Sequence, residues 1–304
     1  MSRDNILAVV QFIHPGKEQN ESVAGWRFWN IATKKGAGWP HRRKFMIVEA
    51  DYIDRGTLRN GLIGFWGEWE PPSKVIKAIQ SQGNEPAYFH APAYYEPESS
   101  EDHLDTDPFV FGNRMLYNGC QQHTHHHRPG GALDTKLRWL DRGSVILFGS
   151  SLGGQFILDT VFVVGDFVDY PRGDYEGLKG LGIPDEYWHI SLYPQELGNQ
   201  TVDSFRLYLG ATYHDRVNGM FSFTPCQPMG QLRKGFERPV IEVANLVTQI
   251  LTQGKKINSM ASLDDASKVW QAVRDQVTNC GCALAHHIPF QPVKVNRPCK
   301  PLTK

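Results

Sequence analysis

Short apolar runs recur along the chain and are separated by Gly, Pro and Asn. Most of these runs are rich in Val, Ile, Phe and Tyr, the residues that fit a pleated, half-buried surface. They predict an α+β fold, with a β-rich mixed or antiparallel sheet and a few peripheral helices. The predicted strands are 6–13, 44–48, 62–70, 144–149, 156–164, 188–192, 205–213 and 220–223. The first is expected to end at a turn, His14-Pro15-Gly16.

Helical periodicity is confined to a few segments. The clearest begins at Ser262, which precedes two acids, and its apolar residues then recur at three- and four-residue spacing up to Val277. Shorter helices are predicted at 74–79 and 242–252. We therefore expect a β-rich catalytic and nucleic-acid-binding domain over 1–255, with a C-terminal helix and extended tail, 256–304, packed on it.

Composition limits the partners and the compartment. The 304 residues carry 32 basic and 32 acidic side chains, so any nucleic acid must be held by a local patch and not by net charge. Five cysteines, an odd number, and the lack of a signal-like start indicate a reducing cytoplasm. No run approaches the roughly 20 apolar residues of a membrane span, so no membrane partner is expected.

One segment combines aromatic rings with acids, from Gly64 to the double proline at 71–72. Because side chains alternate along a strand, Trp66, Glu68 and Glu70 should share one face, and Phe65 and Trp69 the other. A ring surface beside two carboxylates suits an enzyme that stacks a planar base and cleaves the bond next to it. The alternative is a core strand whose glutamates face solvent.

A basic stretch lies between residues 34 and 44, with no acid inside it. Such a stretch can bind DNA phosphates, while the enclosed Trp39 contacts a base or sugar. The alternative is a solvated charged face. The predicted phosphate-binding residues are Lys34, Lys35, Arg42, Arg43 and Lys44.

A second candidate loop starts at Asp107, whose position before Pro108 disfavours helix and can fix the direction of the carboxylate. Planar hydrogen-bonding groups follow closely, as expected for reading a base edge or sugar hydroxyls. The alternative is that Asp107 caps a turn and the amides satisfy the loop backbone. The predicted base- and sugar-binding residues of this loop are Asn113, Arg114, Tyr117, Asn118 and Gln121.

Other motifs mainly exclude functions. Histidines 123 and 125–127, near Cys120, suggest zinc, but they precede Pro-Gly-Gly and fit an exposed polar loop, so we predict no metal site. The glycine loop 149–154 lacks the Lys-Ser/Thr ending of a P-loop, and no dinucleotide fingerprint or nucleophile elbow is present. No nucleotide cofactor is therefore expected.

Two resemblances add to this interpretation. The segment 140–164, in which an apolar strand, a Gly/Ser loop and a returning strand follow one another, resembles the central hairpin of PUA-like barrels, which implies a partly closed barrel. An ordinary hairpin would show a similar pattern. Together the segments QFIHPG, FWGEWE, DPFVFG and GMFSF resemble a bacterial family that includes phage-defence DNA glycosylases acting on glucosylated hydroxymethylcytosine. This resemblance implies excision of that base from phage DNA.

The site assignment rests on residue chemistry. A carboxylate would stabilise positive charge on the sugar or activate water, with Glu68 ranked first, then Asp107, Glu70 and Asp159, and with His14 as proton donor. Gln11 and Phe109 complete the base- and sugar-binding set, which the two tryptophans and Phe65 begin. Two alternatives remain open: a non-catalytic PUA-like reader of modified bases and a metal-dependent nuclease that uses the histidine run.

Overall fold

The computed structural model describes residues 4–17, 22–23, 26–28, 42–69, 71, 73–78, 88–94, 106–123, 133–230, 238–243, 246–247, 256–294 and 296. Within these residues most of the regular structure is β. The strands are β1 (Ala8–Lys17), β2 (Ser22–Val23), β3 (Trp26–Phe28), β4 (Arg42–Asp54), β5 (Thr57–Glu68), β6 (Ser73–Ala78), β7 (Tyr88–Tyr94), β8 (Leu116–Asn118), β9 (Val145–Leu152), β10 (Gln155–Pro171), β11 (Ser204–Gly210), β12 (Thr224–Pro228), β13 (Val240–Ile241), β14 (Lys256–Ser259), β15 (Ala283–His287) and β16 (Val293–Lys294).

The first sheet has the strand order β14-β1-β9-β10-β11-β8, and β13 pairs with the start of β10. Strands β1 and β9 are parallel, whereas the other pairs are antiparallel. The sheet is therefore mixed, as the sequence predicted.

The second sheet has the order β15-β12-β5-β4-β3-β2, with β7 running parallel to β4 and carrying β6 and β16. A tight turn at Arg55 and Gly56, with φ of 48° and 77°, joins β4 to β5 over twelve paired positions. Strand β15 pairs with both β12 and β4, so β4, β5, β12 and β15 pair in a circuit.

Helices are few in the described part of the chain. They are α1 (Asp185–Tyr187), a π-helical turn (Trp188–Leu192), α2 (Tyr193–Gly198) and α3 (Leu263–Asn279), with 3-10 turns at Lys136–Trp139 and Glu176–Leu178. Helix α3 confirms the prediction, because the Ser262 hydroxyl accepts a hydrogen bond from the Asp265 backbone N–H at 3.2 Å and caps its start.

Apolar side chains form two large cores. One lies between the sheets and includes Phe12, Phe65 and Phe148. The other lies between the first sheet and α3, where Trp270 packs beside Val273 and its indole N–H donates to the Phe221 carbonyl at 3.0 Å. The first sheet is thus covered on both faces.

Several predicted elements differ from the structure. The run 188–192 is π-helical and not a strand, since the periodicity of a segment of only five residues cannot separate the two. The segment 74–79 was expected to be helical, but 73–78 is strand β6, whose backbone groups pair with β7. Strand β1 continues through the expected turn to Lys17, with an irregular register after Ile13.

Two further elements are only partly as expected. Residues 220–223 make isolated bridges, Val217 to Met220 and Val161 to Phe223, instead of a regular strand. In the predicted helix 242–252, the backbone N–H groups of Leu246 and Val247 donate to the Val243 carbonyl, and much of the remainder lies outside the described residues.

The C-terminal segment is integrated into both sheets. Strand β14 adds to β1, β15 bridges β12 and β4, and β16 pairs with β7. Strands β1 and β4 thus obtain hydrogen-bond partners from this segment, and the division into residues 1–255 and 256–304 stays a prediction.

Candidate functional site

Asp159 lies at a β-bulge in β10. On either side of it, Leu158 pairs with Gly149 and Thr160 with Phe148, so one extra residue is inserted into β10. A bulge redirects the side chain it carries and is common beside active sites. In an apolar strand, the bulge places a carboxylate that is only 5% exposed.

Arg238 neutralises this buried carboxylate. Its Nη1 lies 3.0 Å from Asp159 Oδ1 and 3.3 Å from the Ser150 hydroxyl. The guanidinium carbon is 6.0 Å from the centre of the Trp66 ring. Both charged side chains are buried, and their attraction offsets part of the cost of removing each from water.

Glu68 reaches the same place from the second sheet. A cavity of about 10 Å³ is lined by Glu68 at the end of β5, by Asp159 and Thr160 of β10, and by Pro108 and Phe148. A volume of that size is about what one water molecule needs. One acidic residue from each sheet thus lines a cavity of the size of one water.

The three rings of the aromatic segment lie as the alternation predicts, with Trp66 apart from Phe65 and Trp69, but all three belong to the core. Trp66 is 2% exposed and packs edge to face on Phe45, with ring centres 5.2 Å apart. On the opposite face Phe65 and Trp69 are fully buried against Phe111. Neither tryptophan presents an open ring face to a base.

Asp107 has the arrangement of the alternative interpretation, a loop cap. Its two carboxylate oxygens accept hydrogen bonds from the backbone N–H groups of Asn118 and Cys120, at 2.9 and 3.0 Å. The side chain is buried. Although Pro108 lines the cavity, Asp107 is not among its lining residues, and the acidic residues that line it are Glu68 and Asp159.

The other predicted base- and sugar-binding residues separate by burial. Phe109 is in the core, with its ring centre 4.8 Å from that of Tyr187. Tyr117 is buried and stacks on Tyr208, and Asn118 accepts from the Tyr170 hydroxyl. The remaining residues of this loop, all partly or fully exposed, are Asn113, Arg114 and Gln121.

The predicted phosphate-binding stretch is described only at its end. Lys44 is fully buried, and its ammonium donates to the Pro71 carbonyl at 2.6 Å, so it does not face DNA. In the β4–β5 register, Arg43 lies opposite Glu68. Outside the described residues lie Lys34, Lys35 and Glu70, and the side chains of His14, Arg42 and Arg43.

The histidine run gives no metal centre in the described residues. His123 Nδ1 lies 3.1 Å from Asp134 and His123 Nε2 lies 3.2 Å from Arg138, so the three side chains form one polar network. Histidines 125–127 are outside the described residues. Where the chain is described, no group of three or more His, Cys, Asp or Glu side chains is placed to bind a metal ion.

Sequence reasoning missed Arg238 and Ser150. Arg238 follows a mixed polar segment without a motif and is 79 residues from Asp159, so its own neighbourhood gives no signal. The sequence around its partner, Asp159, does give a signal. An aspartate inside the apolar run 156–164 requires a cation or hydrogen-bond donors when it is buried, because an isolated buried charge is too costly.

Comparisons with protein-family models, curated proteins and solved structures give no match to this chain. None of the helices in the described ranges has the length and apolarity to cross a bilayer.

Proposed function

We propose that this protein hydrolyses the N-glycosidic bond of a bulky modified cytosine in DNA, as a DNA glycosylase, and leaves an abasic site. The observation that carries the proposal is the meeting of Glu68 and Asp159 at a cavity of the size of one water. Glycoside hydrolysis commonly uses two carboxylates, one of which can activate an attacking water.

The two carboxylates have different surroundings, which divides their roles. Asp159 is buried and paired with Arg238, so it acts as a fixed negative charge near the sugar. Glu68 is only half-buried and lies where a substrate can approach. It takes a proton from the water as oxygen bonds to C1′ and the C1′–N bond breaks. The base leaves with the bonding electrons and gains a proton.

The size of the cavity restricts where the base binds. A cytosine does not fit into about 10 Å³, so the water occupies the cavity and the flipped nucleotide lies at its mouth. The buried tryptophans cannot stack on the base without rearranging two cores. Recognition is therefore assigned to groups around the mouth, beside Glu68, and not to Trp66 or Trp69.

The DNA partner and the cytoplasmic location belong to this proposal. The stretch 34–43 supplies the phosphate-binding charges, and its last residue, Arg43, lies on β4 opposite Glu68. Buried free thiols at Cys226 and Cys282 support a reducing compartment.

Base release from defined DNA tests the proposal. The protein is incubated with unmodified, hydroxymethylated and glucosylated DNA, and released bases are identified by mass spectrometry. We expect release from glucosylated DNA, and a loss of about 100-fold or more in Glu68→Gln. The matched control is Glu49→Gln, an exposed glutamate on β4, which should keep full activity.

Other results would overturn the proposal. A stable complex with intact glucosylated DNA and no released base would identify a reader. Strand cuts suppressed by a chelator would identify a metal-dependent nuclease. Undiminished base release in both Glu68→Gln and Asp159→Asn, each verified as folded by circular dichroism, would show that this carboxylate pair is not catalytic.

A further inference from the structure

A second pocket lies on the opposite face of the first sheet from Asp159. Its volume is about 400 Å³, within the range of small-molecule sites. Strands β1, β9, β10, β13 and β14 contribute to it. The lining residues that matter are Gln11, Ser151, Gln155, Phe156 and Lys256.

Gln11 gives this pocket a specific chemical requirement. Its side chain is only 3% exposed, and its amide oxygen has no hydrogen-bond partner in the described chain. A buried polar group without a hydrogen-bond partner costs about 1–3 kcal/mol of folding free energy. Buried amides are nearly always satisfied, so a partner from outside the chain is expected here.

Lys256 stands beside this amide. In the antiparallel pairing of β1 with β14, Gln11 and Lys256 are direct partners, so their side chains project on the same face of the sheet. Both line the pocket. An amide that can donate and accept is therefore next to a positive charge, with the Ser151 hydroxyl and the Gln155 amide further along the wall.

The apolar part of the wall suits a planar ring. Phe156, Ile13 and Val243 line the same space, and Phe156 is nearly fully buried. A glutamine amide matches the amino group and ring nitrogen of adenine, to which it can bond through both its atoms. The Lys256 ammonium matches a phosphate, but the Glu242 carboxylate at the rim disfavours a high negative charge.

We propose that this pocket binds an adenine mononucleotide, with the edge of the base on Gln11 and a single phosphate near Lys256. The site is independent of the Glu68 and Asp159 cavity. Alternation along β1 and β9 places Gln11 and Ser151 on the face of Val9 and Leu147, which belong to the core with α3, whereas Phe148 belongs to the core between the sheets. Its occupation would add a nucleotide ligand to a chain whose sequence contains no nucleotide-binding motif.

Isothermal titration calorimetry on the full-length protein tests this site with four probes: adenosine monophosphate, adenosine, cytidine monophosphate and inorganic phosphate. We expect adenosine monophosphate to bind most tightly. Gln11→Leu should weaken its binding roughly 10- to 100-fold and abolish discrimination against cytidine monophosphate. Lys256→Met should weaken the binding of adenosine monophosphate and leave the binding of adenosine unchanged.

The controls separate this site from the catalytic proposal. Gln271→Leu, at an exposed position on α3, should bind all four probes like the parent protein. Glu68→Gln should also bind adenosine monophosphate normally, whether or not it releases bases from DNA. The proposal is overturned if adenosine monophosphate does not bind, or if neither Gln11→Leu nor Lys256→Met weakens it. If Gln11→Leu does not fold, the affinity of Lys256→Met for adenosine monophosphate tests the proposal alone.

Discussion

Arg238 and Asp159 form a buried ion pair, in which Arg238 Nη1 lies 3.0 Å from Asp159 Oδ1. The two residues are separated by 79 positions in the sequence. Both side chains are at least nine-tenths buried. The pair ties the segment that precedes β13 to the bulge of β10. The arginine also donates to Ser150 on β9, so one guanidinium joins neighbouring strands at the edge of the candidate site.

Removing one partner of this pair should be strongly destabilising. We expect Asp159→Asn to lower the free energy of unfolding by about 3–5 kcal/mol, because it leaves the arginine charge buried. The double variant Asp159→Leu/Arg238→Met should recover much of this loss. Urea denaturation followed by circular dichroism measures both.

A pair that is exposed on both sides provides the control. On α3, Arg274 lies 2.7 Å from Asp275, and the two side chains are 39% and 57% exposed. Asp275→Asn should cost no more than about 1 kcal/mol, since water screens both charges. An equal loss in Asp159→Asn and Asp275→Asn would contradict the importance of burial.

Lys44 should contribute to stability and not to DNA binding. In Lys44→Met the Pro71 carbonyl loses its charged donor, and we expect a loss of about 1–3 kcal/mol in unfolding free energy. The affinity of the folded variant for DNA, measured by fluorescence anisotropy, should equal that of the parent. Lys74→Met, exposed on β6, is the control and should leave stability nearly unchanged. A selective loss of DNA affinity in Lys44→Met would contradict the structural assignment.

Asp107 should behave as a loop cap. Asp107→Asn replaces one acceptor oxygen with an NH₂ group, which cannot accept from the Asn118 or Cys120 backbone N–H. We expect a loss of about 1–3 kcal/mol, measured by denaturant unfolding. Asp141→Asn, at an exposed carboxylate that bonds the Arg142 N–H, should cost less than about 0.5 kcal/mol. If Asp107→Asn abolished base release without loss of stability, a catalytic role would replace the capping role.

His286 should make stability depend on pH. Burial lowers its pKa to about 4, an effect that Asp51 opposes and that His214, His287 and Arg216 reinforce. The unfolded chain therefore binds this proton more readily than the folded chain. The contribution of His286 to stability is constant above about pH 6.5 and falls as pH decreases from 6.5 towards 4.

The substitution His286→Phe keeps a ring to stack on Tyr213, now 4.7 Å away between centres, but removes the titration. We expect its melting temperature to fall less between pH 6.5 and 4 than that of the parent protein. An NMR titration that gave His286 an ordinary pKa near 6.5 would contradict the prediction.

The pattern of the chain determined much of the local structure. Alternation correctly separated Trp66 from Phe65 and Trp69, and the serine before the final periodic run correctly marked the start of α3. These features depend on a few neighbouring residues, so they can be inferred from spacing. The runs 188–192 and 74–79 were too short for that, and their conformations depend on what packs or pairs with them.

The sequence by itself determined a β-rich mixed fold with few helices, and it supplied the carboxylates, rings and amides from which a site could be built. Only the tertiary structure decided which of them meet. Trp66 and Trp69 became core, Lys44 and Asp107 became internal hydrogen-bonding groups, and Asp159 gained Arg238. The physical reason is that burial and ion pairing depend on strands distant in sequence, and a buried charge is tolerated only where the fold brings its partner.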